Sequence, residues 1–493
     1  MRIRGWTKKS WWLGAAVLGV AFSFWQCNRR EEKPREVQIF AVNDIHAALE
    51  NFPRLAYVAD SLRAIYPDLL LVSGGDNQTG NPINDQAEQR GMPIIKLMDR
   101  VGFDASALGN HEFDVSAVQM RRNLEMSRCA YLCANAIHKD STYPLRKNEV
   151  LTLPNGLRLG LSSLLYINPS GYPDSHPMNT EGFRFYDPIE VGRQEFEALR
   201  QKCDVLVFLT HLGLEWDKKL AEALPRGGAD AIVGGHSHTL IRDAKHYNGM
   251  LITQSGSKLR WGTLVRIRVT DSGATSDAKL IRVEGKGAED MGVRAYVDSL
   301  RAVSGFNETI AQTEKGVRGK EQLGYLMADG QRAYARADVA LMNPGGVRIS
   351  ELVPGSITVQ DMYSLDPFGN EIVQYDMTLQ ELQEFVEKAG GVDYNSILIP
   401  SGIHLRYHYQ PKGNGSSEAV RVELLDTLNR ALASGKTYRV VMNSYMATVN
   451  VFSAKPKGKS LGVTTASATI EWLRRLGKAP DYSAEQRIVK VKE

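Results

Sequence analysis

Five short apolar runs in this chain each stop at side chains able to hold a metal ion. Val37 to Val42 leads into Asn43-Asp44-Ile45-His46, and Asp68 to Val72 into Ser73-Gly74-Gly75-Asp76. Asp104 to Leu108 leads into Gly109-Asn110-His111-Glu112-Phe113-Asp114, and Asp204 to Leu209 into Thr210-His211. Ala229 to Val233 leads into Gly234-Gly235-His236-Ser237-His238. The runs ending at Val72, Leu209 and Val233 are of the buried-strand type, while Val37 to Val42 is a short apolar strand and Asp104 to Leu108 is only apolar-leaning. Helical stretches lie between several of them. Pro53 to Ile65 puts Leu55, Val58, Ala59 and Leu62 on one face, and Gly91 to Val101 is a second helix candidate. Alternating strands and helices predict an α/β layered fold. In such folds ligands gather beyond the carboxyl ends of the strands. Asp44, His46, Asp76, Asn110, His111, His211, His236 and His238 are therefore candidates for one cleft, although they are far apart in the chain. The glycines before them permit sharp turns and close backbone approach. Any one of these segments alone reads as an ordinary turn or a hydrogen-bonded histidine; five in series, each after a strand, do not.

At 493 residues the chain exceeds one ordinary core, so two domains are expected. The formal net charge of +4 resides in residues 1–26, where Arg2, Arg4, Lys8 and Lys9 have no acidic companion. The remainder is neutral, which argues against nucleic acid as a partner. A basic start followed by the uncharged apolar run Trp11 to Trp25 reads as a signal segment, since a spanning helix needs roughly 20 apolar residues. Cys27 follows directly. Export to the periplasm or cell surface is expected, either as a lipoprotein acylated at Cys27 or through a simple signal or anchor. Residues 27–36 would then be a polar tether. Cys129, Cys133 and Cys203 are an odd set and no disulfide framework; Cys129 and Cys133 are either a pair or buried thiols.

The order of these motifs resembles the calcineurin-like metallophosphoesterases, and with the C-terminal half the chain looks like the 5′-nucleotidase / UDP-sugar hydrolase family. The resemblance implies a four-layer α/β-β/α catalytic domain over 37–285, a linker helix within 286–306 and a second α/β substrate-binding domain over 307–493. It also implies two divalent metal ions (Mn, Zn or Mg), which oxygen and nitrogen ligands suit. Asp44, His46 and His238 would hold one ion, and Asn110, His211 and His236 the other. Asp76 would bridge them, because a carboxylate has two oxygens and negative charge. Such a pair, roughly 3.5–4 Å apart, clamps an in-line phosphoryl displacement and activates water. His111 would stay off the metals and donate to the phosphoryl or leaving oxygen, with Asp114 accepting its other N–H. The other reading of Asp114 is a cap of a helix over 115–124; the pairing with His111 is favoured, and both roles can coexist.

In the C-terminal half, Arg318 opens an amphipathic helix, and the strand Asp338 to Met342 ends in Asn343-Pro344-Gly345-Gly346-Val347-Arg348. Leu365 to Asn370 and Asn443 to Ala447 continue the likeness. By resemblance, Arg348 and, more weakly, Arg318 contact the phosphate or nucleotide, and Asn343 matches the asparagine before the paired glycines. Phe368 and Tyr445 match two aromatics that sandwich a base, where stacking contributes roughly 1–3 kcal/mol per base; read alone they are core residues. One departure stands out. The Gly-Gly-Asp expected after the second aromatic is replaced by Ala447-Thr448-Val449-Asn450-Val451-Phe452. The activity implied is hydrolysis of nucleoside 5′-monophosphates, with nucleotide sugars and cyclic nucleotides as further candidates. Two alternatives stay open: the same catalytic domain on a non-nucleotide phosphate or sulfur ester, and a surface binding protein with structural metals. A structural site gains nothing from an unligated His111.

Overall fold

The computed structural model describes residues 35–271, 273–390, 397–411, 417–449 and 458–492. Residues 1–26, expected above to be a signal segment, Cys27 and Asn450 to Phe452 lie outside the described residues. Besides the small antiparallel pair Ala136–His138 and Phe183–Phe185, twelve strands in chain order build the first domain: β1 (Arg35–Val42), β2 (Leu70–Ser73), β3 (Ala105–Ala107), β4 (Ala130–Leu132), β5 (Asn148–Thr152), β6 (Arg158–Leu165), β7 (Val205–His211), β8 (Ala231–Val233), β9 (Lys245–Tyr247), β10 (Met250–Thr253), β11 (Trp261–Thr270) and β12 (Gly273–Arg282). They form two six-stranded sheets, ordered β12-β11-β1-β2-β3-β4 and β9-β10-β8-β7-β6-β5. In the first, β1 to β4 run parallel; in the second, β6, β7, β8 and β10 do.

The apolar runs are continuous because both faces of each strand are covered. Along β1, Ile39 and Ala41 face the second sheet, whereas Phe40 and Val42 pack under helices Phe52–Ile65 and Met92–Val101. Along β7, Val205, Val207 and Leu209 face the first sheet, and Leu206 and Phe208 face the layer that holds helices Pro188–Leu199 and Leu214–Ala223. The period of two thus divides one apolar run between two cores. The four-layer arrangement is the one expected. The linker helix expected within 286–306 is Met291–Ser304, which packs on the first domain: Val293 and Val297 are buried beside Leu55 and Met98. Phe306 touches the cores of both domains. Cys129, Cys133 and Cys203 are free, buried thiols. Among the described residues no helix is long and apolar enough to cross a membrane.

The second domain centres on a five-stranded sheet, ordered Ile399–Ser401, Val339–Met342, Thr437–Asn443, Glu371–Thr378 and Lys459–Thr464. Val339–Met342 and Thr437–Asn443 are parallel, so their carboxyl ends share an edge. Glu371–Thr378 is antiparallel to Thr437–Asn443, which brings its amino end to that edge. The segments carrying Arg348, Phe368 and Tyr445 are thereby gathered together.

Leu161 lies fully buried between the two sheets of the first domain. Leu161→Ala should lower that domain's stability by about 3 kcal/mol. Urea unfolding checks this: the midpoint should fall while the slope is unchanged.

Candidate metal centre and active site

All five motif loops leave the carboxyl ends of parallel strands, and both sheets present those ends to one place. Two backbone constraints bring the loops within ligand distance. First, the Asp44 N–H donates to Gly75 O and the His46 N–H to Asp76 O, each at 3.0 Å. Second, Gly74 lies against the Gly234 backbone; a Cβ on Gly74 would approach Gly234 O to 2.8 Å. The side chains are then aimed by unusual dihedrals. Asp44, His46, Asp76, His236 and His238 have φ of 50°, 47°, 54°, 77° and 53°. Non-glycine residues seldom adopt this left-handed region, and such strain concentrates at functional sites at a cost of about 1–3 kcal/mol each.

The ligand atoms of Asp44, His46 and His238 lie within 4.8 Å of one another, as do those of Asp76, His211 and His236. A third group of the same size joins Asp76 to His46 and His111. Asp76 therefore stands between the two sets. His46 Nδ1 is 3.1 Å from Thr79 O and His211 Nδ1 is 2.8 Å from Gly74 O. A carbonyl only accepts, so these nitrogens carry the protons and each Nε2 offers a lone pair. His46 Nε2 is 2.9 Å from His238 Nε2, which is 3.4 Å from Asp44 Oδ1. His211 Nε2 is 3.0 Å from Asp76 Oδ2, yet this buried nitrogen makes no well-formed hydrogen bond. His236 Nδ1 faces Asn110 Oδ1 at 3.0 Å, and the His236 N–H donates to both Asp44 oxygens at 3.1 Å. Buried ring nitrogens and side-chain oxygens converging at such distances are a donor set that fits a cation of the hard-to-borderline kind.

The electrostatics agree. Burial pushes His236 and His238 down to about 4 and His46 well below its ordinary value, so all three are neutral, the form that ligates a metal. Burial raises Asp44 to about 7. Burial would depress His211, but the Asp76 carboxylate reverses this and pushes it up to about 10. Asp76, despite burial, is held well below the usual carboxylate range by His211 and His111. A proton and a metal ion compete for the same His211 lone pair.

His111 is oriented differently. Its Nδ1 meets Asp114 Oδ2 at 2.6 Å, and its backbone N–H donates to Asp76 Oδ1 at 2.8 Å. Burial would lower its pKa; Asp114 and Asp76 outweigh that and raise it. Asp114 does not cap the next helix: that helix is Ala117–Met126, and Ser116 caps it by accepting from the Gln119 N–H. The second domain closes over this imidazole. Arg348 Nη2 lies 3.3 Å from His111 Nε2, the Phe368 ring stacks on His111 at 5.9 Å, and the Arg348 guanidinium lies 5.6 Å over Phe368. A cavity of about 930 Å³ is lined from one side by Asp76, Asn110, His111, His236 and His238, and from the other by Asn343, Arg348, Phe368 and Tyr445. Arg318 is not among them. It sits at the start of helix Gly319–Ala335, is 68% exposed and faces Glu351 at 3.6 Å.

Several residues of the site escaped sequence reasoning. Glu112, buried within the Asn110–Asp114 run, accepts from the N–H groups of Gly109 (2.7 Å), Asn77 (2.8 Å) and Asp76 (3.1 Å). It ties the loop after β2 to the loop after β3. Asn43 donates to Asp44 Oδ2 at 2.6 Å and accepts from Ser255. Both adjoin candidate ligands, which was the available signal. Asp174 and His176 line the cavity from a loop with no motif; Asn110 Nδ2 donates to Asp174 O, and His176 Nε2 meets Thr448 Oγ1 of the second domain at 3.2 Å.

Two stacked α/β layers with an oxygen- and nitrogen-rich cluster at their shared strand ends define the class of calcineurin-like phosphoesterases. Residues 37–240 match that family's profile, and residues 303–452 match the profile of the 5′-nucleotidase C-terminal domain. Residues 37–240 thus form a calcineurin-like phosphoesterase domain and residues 303–452 a 5′-nucleotidase C-terminal domain. It is 23% identical over 515 residues to the trifunctional nucleotide phosphoesterase protein YfkN of Bacillus subtilis, a match covering 92% of this chain and 35% of that protein. The chain thus spans about a third of that relative's length. It is 27% identical over 450 residues to a 5′-nucleotidase of Vibrio parahaemolyticus, covering 79% of this chain and 77% of the relative. The crystal structure of a 5′-nucleotidase precursor from Thermus thermophilus shares the fold at a TM-score of 0.78 and 24% identity, covering 93% of this chain and all of that one.

A Cβ on Gly109 would collide with Asp76 Oδ1 and the Asp76 backbone. Gly109→Ala should therefore reduce bound divalent metal severalfold with little change in far-ultraviolet circular dichroism. Elemental analysis of the purified variant measures it.

Proposed function

We propose that this chain is an exported hydrolase of nucleoside 5′-monophosphates, with nucleotide sugars and cyclic nucleotides as further substrates. The observation that carries this reading is the shared cavity in which the metal-capable groups, the His111–Asp114 pair and Arg348 with Phe368 meet. Asp44, His46 and His238 would hold one divalent ion and Asn110, His211 and His236 a second, with Asp76 shared. Bound ions of this kind supply Lewis acidity and a water-derived nucleophile at neutral pH. The chain's own residues do the rest. Arg348 Nη2 and His111 Nε2 present two donors to one phosphoryl group, where charge-assisted hydrogen bonds are strongest. His111, kept protonated by Asp114 and Asp76, gives its Nε2 proton to the leaving oxygen as the bond to phosphorus breaks. Asp114 holds the ring in place throughout. Phe368 and Tyr445 hold the base by stacking, Asn343 borders the nucleoside, and Arg318 serves at most as a remote surface charge. Export rests on the basic-apolar segment 1–26 and Cys27.

Release of phosphate from adenosine monophosphate and from p-nitrophenyl phosphate tests the reading. Both should be hydrolysed, chelator should abolish both activities, and Mn²⁺ or Zn²⁺ should restore them. Asp76→Asn should lose most activity together with metal. His111→Ala should lose about 10²–10⁴-fold in kcat while retaining metal. Hydrolysis of the generic ester alone moves the substrate away from nucleotides, and a metal-loaded protein that cleaves neither ester ends the enzymatic reading.

The pH profile follows from His111. Its raised pKa keeps the donor protonated above the ordinary histidine value, and activity is lost as pH rises through that pKa. Asp114→Asn removes a carboxylate that raises it, so the alkaline limb of kcat should move to lower pH. An unmoved limb would count against the pairing.

A further inference from the structure

Arg90 stands apart from the charges described so far. It belongs to the catalytic domain and precedes Gly91, whose φ of 86° starts the helix Met92–Val101. Its backbone is held firmly. The Arg90 carbonyl accepts from Asn123 Nδ2 at 2.8 Å, and the Gly91 N–H donates to Asn84 O at 3.1 Å. Asn123 is itself buried and accepts from Gln119 Nε2. From this mount the half-buried side chain crosses to the second domain. A Cβ on Gly369 would lie 3.7 Å from Arg90 Nη1 and 3.9 Å from Nη2.

Among the described residues the Arg90 side chain has neither an ion pair nor a hydrogen bond, and its Nε is closed off from water without an acceptor. Its charge is felt by Asp85, but that carboxylate already accepts from the Gly80 and Asn81 N–H groups and from Asn84 Nδ2. The closed-off Nε and the half-buried fork leave donors that a ligand in the cavity can satisfy. The cavity it lines is the substrate cavity.

Gly369 directly follows Phe368, the ring proposed above to carry the base. Arg348 and His111, the groups proposed above to bind the phosphoryl group, meet against that ring. We infer that Arg90 reads the edge of the base stacked on Phe368 and selects 6-oxopurine nucleotides over adenine nucleotides. This inference rests on the nucleotide reading of the preceding section. The chemistry follows from the donor inventory. A guanidinium only donates, through a planar fork of parallel N–H groups. Guanine and hypoxanthine place two acceptors, O6 and N7, side by side, and an arginine engages both. Adenine replaces O6 with an amino group, so a donor meets a donor. The reading is made from the catalytic domain, where it compensates for the carboxylate missing after Tyr445.

The test is kcat/KM of the metal-loaded full chain for guanosine, inosine and adenosine 5′-monophosphates, each divided by kcat/KM for p-nitrophenyl phosphate, which has no base. The guanosine and inosine values should be alike and exceed the adenosine value by about tenfold or more. Arg90→Ala should bring the three together. Arg90→Lys, which keeps the charge but loses the fork, should do the same. An oxopurine-to-adenine ratio that is near one in the natural protein, or unchanged in both variants, overturns the inference while leaving the nucleotidase reading standing. A gain for adenosine 3′,5′-bisphosphate over guanosine monophosphate that depends on Arg90 also overturns it, by making the group a second phosphate site. Hydrolysis of p-nitrophenyl phosphate with no nucleotide turned over removes both readings.

Discussion

Asp76 is buried with both oxygens committed: one accepts the His111 backbone N–H, the other faces His211 Nε2 across 3.0 Å. That second contact sets a carboxylate from one sheet against an imidazole from the other. Without positive charge between them, two lone pairs are opposed in a region water does not reach. The rest of the site follows from satisfying this pair. Gly109 makes room for the Asp76 carboxylate, Glu112 anchors the backbone on either side, and the glycines at 74 and 235 let the sheets approach. The left-handed dihedrals at Asp44, His46, His236 and His238 turn further donors toward the same point.

The cavity is assembled from both domains. The catalytic domain supplies the charge-dense centre and one oriented imidazole. The second domain brings Arg348 and Phe368 to that imidazole because three adjacent strands present their relevant ends at one edge. The interface is also the cavity wall, so anything bound there is held by residues from both sides. His176 meeting Thr448 extends the same contact around the rim.

How much of this was legible in the sequence depends on the range of the interaction. The metal-capable residues were legible because each follows an apolar strand, and α/β topology sends strand ends to a common edge. The pairing of His111 with Asp114 was legible because three residues on a turn bring side chains together. Glu112 and Asn43 were not, since their partners are backbone groups of other loops. Arg318 matched a motif but faces Glu351 outside the cavity: a two-residue strand entering a helix leaves its direction to packing. Arg90 carried no signal at all, because its importance comes from Gly369, a distant residue of the other domain.

By itself, then, the order of residues determined the elements, the two-domain layout and the kinds of donor available. Those follow from hydrophobic period and turn chemistry, which act over a few neighbouring positions. The tertiary structure alone decided which donors face one another, which nitrogen of His46 and His211 is free, and which arginine reaches the imidazole. Such outcomes depend on distances of about 3 Å between segments far apart in the chain. Only the stacking of the two sheets and the docking of the second domain bring those segments together.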